Sequence, residues 1–565
     1  MTLQPSTTDL PVRPPQPEPD TMQSQEETNA GVARASSVVA LGNITSRVLG
    51  LAREVVLSNL FGASRAVDAF NVAIIVPKAL YDLLIGGHVN SALVPVLSEV
   101  VTRDGRRALW QLVSVLCSLL VVLLTLIVLA LELFAPNIVK LVGGGFDQPT
   151  LNLAMHLLQL TAPALIFLGL FAVLSGTLYA LREFTWPAFA VTVFNGCIVL
   201  ALLLFVPRAA LKPSVEVGRV IWILARPTEA IVVAALGWLV GALAQMALQI
   251  PGMRGARLHL SLNWKHPALK RIIKLYAPVM FSLVMDTLVI RTFSYNLASQ
   301  TGEGSIGYMN WATTLIQFPQ GLVATAISIA ILPTLARQAA LVTADSQRAF
   351  KDTLGLGLRL TITLILPAAI GLMVLGQPIV ALLFQHGAFN ATDTAMTTQA
   401  LQLYLVGLPF AGLDLLLVYA FYAQQDTLTP AVIGVVSLGV YMLVALLLFP
   451  RFGLFSLMIA DSVKHIVHAL TSAGLLSRRM RGFGDQRLWQ TLLKTTVAAG
   501  SMGLAAYLLL PLLMATIGTA TLVREVLLVV TAGGISLLVF LGLAMVLRIE
   551  ELRWIVGMLA RRLGR

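Results

Sequence analysis

Charged residues are scarce in this chain of 565 residues, of which 12% are charged and 57% are hydrophobic. Soluble domains carry about 25% charged residues, so the composition excludes a string of water-soluble domains. The mean hydropathy of +0.84 indicates that many side chains face lipid. The sequence therefore predicts an all-α polytopic membrane protein.

Cysteine is also scarce. Cys117 and Cys197 both lie in apolar runs, which argues against a disulfide framework and against a metal site. The sequence lacks a Walker-type phosphate loop, a nucleophile elbow and paired-cysteine zinc spacing. We therefore expect no enzymatic activity, no resident metal and no cofactor. Transport by such a chain has to run on an ion gradient, the membrane potential or a partner.

Basic residues outnumber acidic ones, and the net charge is +12. In a soluble protein it would suggest nucleic acid. Here most Lys and Arg lie between apolar runs, which indicates positively charged loops on the cytoplasmic face instead. We expect no nucleic-acid partner.

Fourteen apolar runs are long enough to cross a bilayer, which requires about 20 residues each. Most Lys and Arg fall in the alternate loops that share a side with the N-terminus, so we expect both termini in the cytoplasm. The basic loop at 207–228 is an exception on the outer side. The predicted helices are 36–61, 66–98, 107–135, 151–181, 186–206, 229–250, 269–298, 306–336, 352–384, 392–423, 429–449, 453–476, 489–515 and 521–547.

A weak internal repeat divides these helices. Residues 93–97 (LVPVL) end the second helix and residues 331–335 (ILPTL) end the eighth. Such repeats build transporters from two bundles that flank a central site. The predicted organisation begins with a disordered cytoplasmic tail at 1–33. Two six-helix lobes follow, at 34–250 and 251–480, and then a segment at 481–565 with two additional helices and a cytoplasmic C-terminus.

Charged residues inside spans are costly and usually face a cavity or a partner. Along the first helix, Ser46 and Arg53 share one face, and Arg47 and Glu54 share the adjacent face. Two inward arginines suit a pyrophosphate, because guanidinium groups bind phosphate with two hydrogen bonds. The alternative is neutralisation of Arg47 by Glu54, with snorkelling of the long side chains toward the membrane surface.

Other ionisable residues lie on the second and seventh helices. Asp68 is close to a helix start, where an acidic residue is a common cap. Asp82 is in mid-helix and has no such explanation. Asp286 and Arg291 point in different directions on one helix, so each needs a partner elsewhere or water. Asp286 is also a candidate ligand for a monovalent cation.

A polar stripe marks the twelfth helix, where Asp461, Lys464, His465 and His468 share a face. A metal site is disfavoured because Lys464 lies among the ligands. An ion pair between Lys464 and Asp461 that lines a groove fits better, and proton coupling through a histidine remains open.

Several segments together carry a family resemblance. They are 46–54 (SRVLGLARE), 60–63 (LFGA), 68–70 (DAF), 92–97 (ALVPVL), 318–322 (FPQGL), 383–389 (LFQHGAF) and 421–430 (FYAQQDTLTP). Taken as a set, they are similar to the lipid II flippases of the MurJ/MviN type, in the multidrug/oligosaccharidyl-lipid/polysaccharide exporter superfamily.

The resemblance implies two six-helix lobes around a V-shaped central cavity, with two C-terminal helices that form a lipid groove. It implies alternating access, in which undecaprenyl-pyrophosphate-linked peptidoglycan precursor (lipid II) passes from the cytoplasmic to the outer leaflet. The protein is then a monomer in the bacterial inner membrane. Its partners are this lipid-linked precursor and membrane lipids, and it is driven by membrane potential or sodium.

By motif, Arg47 and Arg53 match cavity arginines of the family, and Ser46 and Asp68 are also in matching places. This chain has Tyr81-Asp82 and Thr313-Thr314 where the family has charged pairs that include arginine. A flippase for another polyprenyl-linked oligosaccharide, or a cation-coupled exporter of the same superfamily, therefore stays open. The predicted substrate-binding residues are Ser46, Arg47, Arg53, Asp68, Asp82 and Arg291, the last as a partial replacement for the missing charge.

Overall fold

The computed structural model describes residues 19–79, 88–206, 210–216, 219–225, 227–263, 285–341, 343–480, 482–519 and 521–552. The described residues are almost entirely helical, which confirms the all-α class. One exception is a hairpin of two antiparallel strands, in which Ala210 pairs with Ala225 and Glu216 with Arg219. The hairpin lies in the basic loop that was expected on the outer side.

The N-terminal half, described up to residue 263, contains eight α-helices and the hairpin among its described residues. They are α1 Pro19–Phe61, α2 Arg65–Ala73, α3 His88–Arg103, α4 Gly105–Val142, α5 Gln148–Thr161, α6 Ala164–Ala180, α7 Thr185–Phe205, β1 Ala210–Glu216, β2 Arg219–Ala225 and α8 Val232–Ala247.

The C-terminal half, described from residue 285 onward, begins with a π-helical turn at Met285–Ile290 and has a second one at Gln320–Thr325. Its α-helices are α9 Arg291–Ser299, α10 Ser305–Pro319, α11 Ala326–Ala340, α12 Ala344–Phe384, α13 Ala391–Leu405, α14 Leu408–Ala423, α15 Leu428–Phe452, α16 Phe455–Arg479, α17 Leu488–Ile517 and α18 Leu522–Val546.

The N-terminal tail differs from the expectation. Helix α1 begins at Pro19, so the backbone of 19–33 is helical rather than disordered. Proline is favoured at the first helical position, because its missing N–H would be unpaired there. Half of the residues at 20–33 are Glu, Gln, Ala or Met, which are good helix formers. Residues 1–18 lie outside the described part of the chain.

Nine helices in the described ranges are long and apolar enough to cross a membrane, and a bent pair makes a tenth. The expected spans 36–61, 66–98, 269–298 and 453–476 are not among them, and parts of 66–98 and 269–298 are not described. Fourteen spans and the four-part domain division therefore stay predictions. Outward leucines such as Leu133, which is 74% exposed, give the helices the apolar surface that lipid requires.

The bent pair is α13 and α14, which meet at 43°. A bend frees backbone groups that have to be paired inside a membrane. Ser462 on α16 pairs them: its hydroxyl accepts from the Gly407 N–H at 3.0 Å and donates to the Leu403 carbonyl at 2.6 Å. One side chain thus stabilises the broken span.

The largest buried apolar cluster joins the two halves. It contains Phe61 and Phe70 from the N-terminal half and Trp311 and Phe384 from the C-terminal half. Trp311 also meets Phe389 edge-on, with ring centroids 5.0 Å apart. The halves are therefore packed together at the end of the molecule where α1 ends.

The segment 421–430 folds into a capped turn between α14 and α15. The Asp426 carboxylate accepts from the Thr429 hydroxyl at 2.6 Å and from the Thr429 N–H at 2.9 Å. Arg479 lies 2.6 Å away. The two bonds from Thr429, aided by Arg479, lower the pKa of Asp426 to about 2. The Asp426 carboxylate is therefore charged at neutral pH.

Replacing Asp426 by alanine should lower the free energy of unfolding by about 1 kcal/mol, the usual contribution of a side chain that accepts from a first-turn N–H group of a helix. A carboxylate with a lowered pKa stabilises the fold above the unfolded value of 3.8, and this contribution is lost as the pH falls toward 2. Thermal unfolding in detergent should show the difference at pH 7 and a smaller one near pH 3. Thr429→Val, which removes only the hydroxyl, should give part of the loss.

Candidate functional site

A polar cavity of about 380 Å³ lies between the two halves. Helices α1, α2, α7 and α8 form its wall on one side, and α10 forms it on the other. Its lining includes both predicted arginines and the Thr313-Thr314 pair. The polar and charged residues around it are Asn43, Ser46, Arg47, Arg53, Glu54, Asn71, Lys78, Asn310, Thr313, Thr314 and Gln317.

Arg47 reaches across this cavity. Its Nη1 donates to the backbone carbonyl of Gln317 on α10 at 3.4 Å. A Cβ at Gly321 would lie 2.4 Å from Nη2, so this glycine leaves room for the guanidinium group. No carboxylate pairs with Arg47 among the described residues. The alternative, in which Glu54 neutralises Arg47, is therefore wrong, and Arg47 remains an available cation.

Glu54 pairs instead with its neighbour Arg53, at 2.6 Å between Nη2 and Oε1. Arg53 also donates from Nη1 to the Asn195 side chain at 3.0 Å. Both charged side chains are mostly buried, at 20% and 15% exposed. Arg53 is thus fixed in the cavity wall with its charge offset by Glu54, whereas Arg47 has no such partner among the described residues.

The remaining walls are polar but uncharged near α10. The Thr313 hydroxyl donates to the Met309 carbonyl at 3.0 Å, and that of Thr314 to the Asn310 carbonyl at 2.8 Å. The Ser46 hydroxyl donates to Asn43 in the same way. The hydroxyl hydrogens of these side chains are bound to backbone carbonyls. The positive charges among the lining residues are those of Arg47, Arg53 and Lys78, and Glu54 offsets that of Arg53.

Asn195 was missed by the sequence analysis. It is buried, bonds to Arg53, and its amide donates to the Val191 carbonyl at 3.1 Å. An asparagine in the otherwise apolar run 186–206 was the available signal, since polar groups inside spans usually have a partner.

Asp68 lies elsewhere, fully buried at 0% exposed. Its carboxylate accepts from the N–H of Gly304 at 2.8 Å and from those of Ile306 and Gly307 at 3.1 Å each. It therefore caps the first turn of α10 in the opposite half, rather than its own helix. The structure does not place Asp68 in the cavity lining, because the unpaired amides of α10 hold its carboxylate.

The capping by Asp68 belongs to a set of contacts that we call the closed end. Here the loops after α1 and α4 meet the loop between α9 and α10 and the loop after α12. The contacts that join the halves are Ala388 N–H to Asn59 O at 2.8 Å, Arg65 N–H to Glu303 Oε1 at 3.0 Å, Gly145 N–H to Ser299 Oγ at 2.9 Å and Asn296 Nδ2 to Leu141 O at 2.7 Å.

The remaining predicted site residues are Asp82, Asp286 and Arg291. Asp82 lies outside the described residues, with Tyr81. Asp286 is in the backbone of the π-helical turn, and its side chain is not described. Arg291 begins α9 and is not among the cavity-lining residues of the described chain. Its role as replacement charge stays a prediction, as does cation binding by Asp286.

The twelfth-helix stripe forms a separate cluster on α16. Lys464 Nζ lies 2.6 Å from Asp461, which confirms the predicted ion pair. His468 bonds to Asp414 on α14, a partner that the sequence analysis did not find. None of these residues is among those that line the cavity in the described structure. Proton coupling through this cluster stays a prediction.

Comparison with known proteins gives the family. The family model described as "Lipid II flippase MurJ" matches residues 57–528. A lipid II flippase MurJ of Burkholderia cenocepacia is 31% identical over 461 residues, which cover 80% of this chain and 84% of the relative.

Solved structures share the fold. A lipid II flippase MurJ in an inward closed conformation has a TM-score of 0.70 at 23% identity, covering 90% of this chain and 98% of that one. An inward-facing multidrug resistance transporter of the MATE family has a TM-score of 0.58 at 13% identity, covering 78% and 95%. Since the family model spans most of the chain, this multi-pass membrane protein belongs to the MurJ family of lipid II flippases.

Proposed function

We propose that this chain translocates lipid II from the cytoplasmic to the outer leaflet of the bacterial inner membrane. The observation that carries the proposal is the cationic cavity between the halves, in which Arg47 has no carboxylate partner among the described residues. Pyrophosphate is the part of lipid II that a guanidinium group binds best. Family membership supplies the cargo, because the relatives are named for it.

In this mechanism the head group enters the cavity while the polyprenyl tail stays in lipid. Arg47 and Arg53 bind the pyrophosphate oxygens, and Asn310 and Gln317 are available for sugar hydroxyls. Burial of a diphosphate without such donors would be very costly. The reaction is a movement and not a chemical conversion, so the side chains have to bind, orient and release.

Alternating access follows from the closed end. With both termini in the cytoplasm, α1 ends at the outer surface, so the closed end seals the cavity from outside. This arrangement corresponds to an inward-facing state. Outward opening would break the Asp68 contacts with α10 and part the halves there. The protein works as a monomer in this proposal, because one chain supplies both halves of the cavity.

The driving force proposed is the membrane potential, or sodium bound near Asp286. A second cargo, another polyprenyl-linked oligosaccharide, is favoured by Thr313 and Thr314, which leave that wall without charge. Such a cargo keeps the pyrophosphate and changes the sugars. Export of cationic drugs fits less well, because Glu54, the carboxylate in the described lining, is paired with Arg53.

The direct test is rescue of a bacterium depleted of its own lipid II flippase. The wild-type chain should restore growth and the delivery of lipid II to the outer leaflet, measured by its accessibility to an external lipid II-degrading enzyme. Failure to rescue, with normal amounts of the chain in the membrane, would contradict lipid II as cargo. Lipid II accessibility without growth would point to insufficient rate rather than wrong cargo.

A further inference from the structure

A second polar cavity, of about 90 Å³, lies away from the central one, where α17 begins and α18 ends. It is several times the roughly 15 Å³ that one water requires, so polar ligands can enter it. Four cations and two carboxylates surround it, namely Arg359, Arg487, Lys494, Arg548, Glu550 and Glu551.

One pair forms the floor of this pocket. Arg359 on α12 contacts Glu551 at 2.6 Å, and its Nη1 donates to the Gln486 carbonyl at 2.8 Å. Glu551 is 5% exposed. These two charges offset each other and hold the chain after α18 against α12, so they are structural.

The rim of the pocket keeps an excess of positive charge. Arg487 and Glu550 are 3.3 Å apart, but both are largely exposed, and such pairs are weak. Lys494 donates to the Arg548 carbonyl at 3.4 Å. Within the described ranges, no carboxylate forms an ion pair with Lys494 or Arg548. The rim therefore carries three cations, Arg487, Lys494 and Arg548, and one carboxylate, Glu550.

The start of α17 gives a second reason to expect a bound anion at this pocket. Arg487 occupies the N-cap position with φ of 51°, and no side chain caps the helix. Arginine cannot accept a hydrogen bond from the first-turn N–H groups, and its charge opposes the positive end of the helix dipole. A bound anion would accept from those groups and relieve the repulsion.

The position of the pocket indicates the source of the anion. Trp489, next along α17, is 74% exposed, and exposed tryptophans mark the boundary between lipid and water. Leu493 and Val497 continue this surface toward the membrane interior and are 57% and 49% exposed. A phosphate at the pocket would thus lie at head-group depth, with an apolar surface beside it for acyl chains.

We propose that this pocket binds the phosphodiester of an anionic membrane phospholipid, held by Arg487, Lys494 and Arg548. The acyl chains lie along Leu493 and Val497. Basic pockets between helices at the membrane surface recognise anionic head groups in this way. The site is separate from the central cavity and does not depend on the cargo proposed above.

Native mass spectrometry of the purified full chain tests it with phosphatidylglycerol and, as the neutral comparison, phosphatidylcholine. The wild type should bind phosphatidylglycerol at least about tenfold more tightly. Lys494→Gln combined with Arg548→Gln should reduce that affinity to the level of phosphatidylcholine. Equal binding of both lipids by the wild type, or unchanged phosphatidylglycerol binding by the double variant, would overturn the proposal.

Two controls separate charge from fold. Arg337→Gln removes an exposed cation from the end of α11 and should leave binding unchanged. Lys494→Arg keeps the charge and should retain phosphatidylglycerol; if the double variant does not fold, Lys494→Gln alone should show a loss that Lys494→Arg does not. Displacement of the lipid by millimolar inorganic phosphate as readily as by short-chain phosphatidylglycerol would overturn the lipid assignment in favour of a free-anion site.

Discussion

Alanine at position 47 should abolish rescue of flippase-depleted bacteria while leaving membrane insertion intact. Arg47 is the cavity arginine without a carboxylate partner in the described structure, so its loss removes the available charge for pyrophosphate. One charge-assisted hydrogen bond contributes about 1.5–3 kcal/mol, which corresponds to a roughly tenfold to hundredfold weaker affinity for the head group. Growth, membrane abundance and binding of lipid II to the purified protein are the measurements.

Arg103→Ala is the matched control, because Arg103 is 73% exposed, pairs with Glu99 and lies outside the cavity. It should rescue as the wild type does. Arg47→Lys should retain partial function, since lysine keeps the charge but not the paired hydrogen-bond geometry. Normal growth of the Arg47→Ala strain would remove this residue from the transport mechanism.

Alanine at position 68 should loosen the closed end. The change leaves three buried N–H groups at the start of α10 without their acceptor, those of Gly304, Ile306 and Gly307. Unpaired buried donors cost about 1–3 kcal/mol each, so the loss of three partners should weaken the closed arrangement by at least about 3 kcal/mol. The opened state would become roughly a hundredfold more populated relative to the closed one.

A cysteine at Ser305, which is 3% exposed beside these contacts, reports the opening. With Cys117 and Cys197 replaced, an impermeant maleimide added from outside should label Ser305→Cys faster when Asp68 is alanine. Asp68→Asn keeps one acceptor oxygen and should give an intermediate rate. Asp345→Ala, an exposed acidic residue at the start of α12, should have no effect. Equal labelling in all four proteins would show that Asp68 does not hold this end closed.

Relations along one helix could be predicted from the sequence, because helical periodicity fixes them. Spacing put Ser46 and Arg53 on one face of the first helix and Arg47 on the adjacent face, and the cost of charge inside a span directed the arginines inward. All three residues line the cavity. The Lys464–Asp461 pair is confirmed for the same reason, since residues three apart are neighbours on a helix.

Relations between distant segments could not be predicted in this way. Asp68 finds its partners 236 to 239 positions away, Arg53 finds Asn195 at 142, and His468 finds Asp414 at 54. Each residue looked locally like a cap, a free cation or a stripe member. The packing of the two halves decides which donor meets which acceptor. These pairings cannot be derived from the spacing of residues along one helix.

The contact between Arg47 and Gln317 links cargo binding to the connection between the two halves. It is a long, single bond to a neutral carbonyl, at 3.4 Å, in a gap that Gly321 keeps open. An arriving diphosphate offers the same guanidinium group shorter and stronger partners. The diphosphate and the Gln317 carbonyl thus compete for the Arg47 side chain. The loaded protein loses this hydrogen bond between its halves, and the empty protein retains it. In the empty protein, Arg47 thus connects the two halves, and in the loaded protein the same residue binds the cargo.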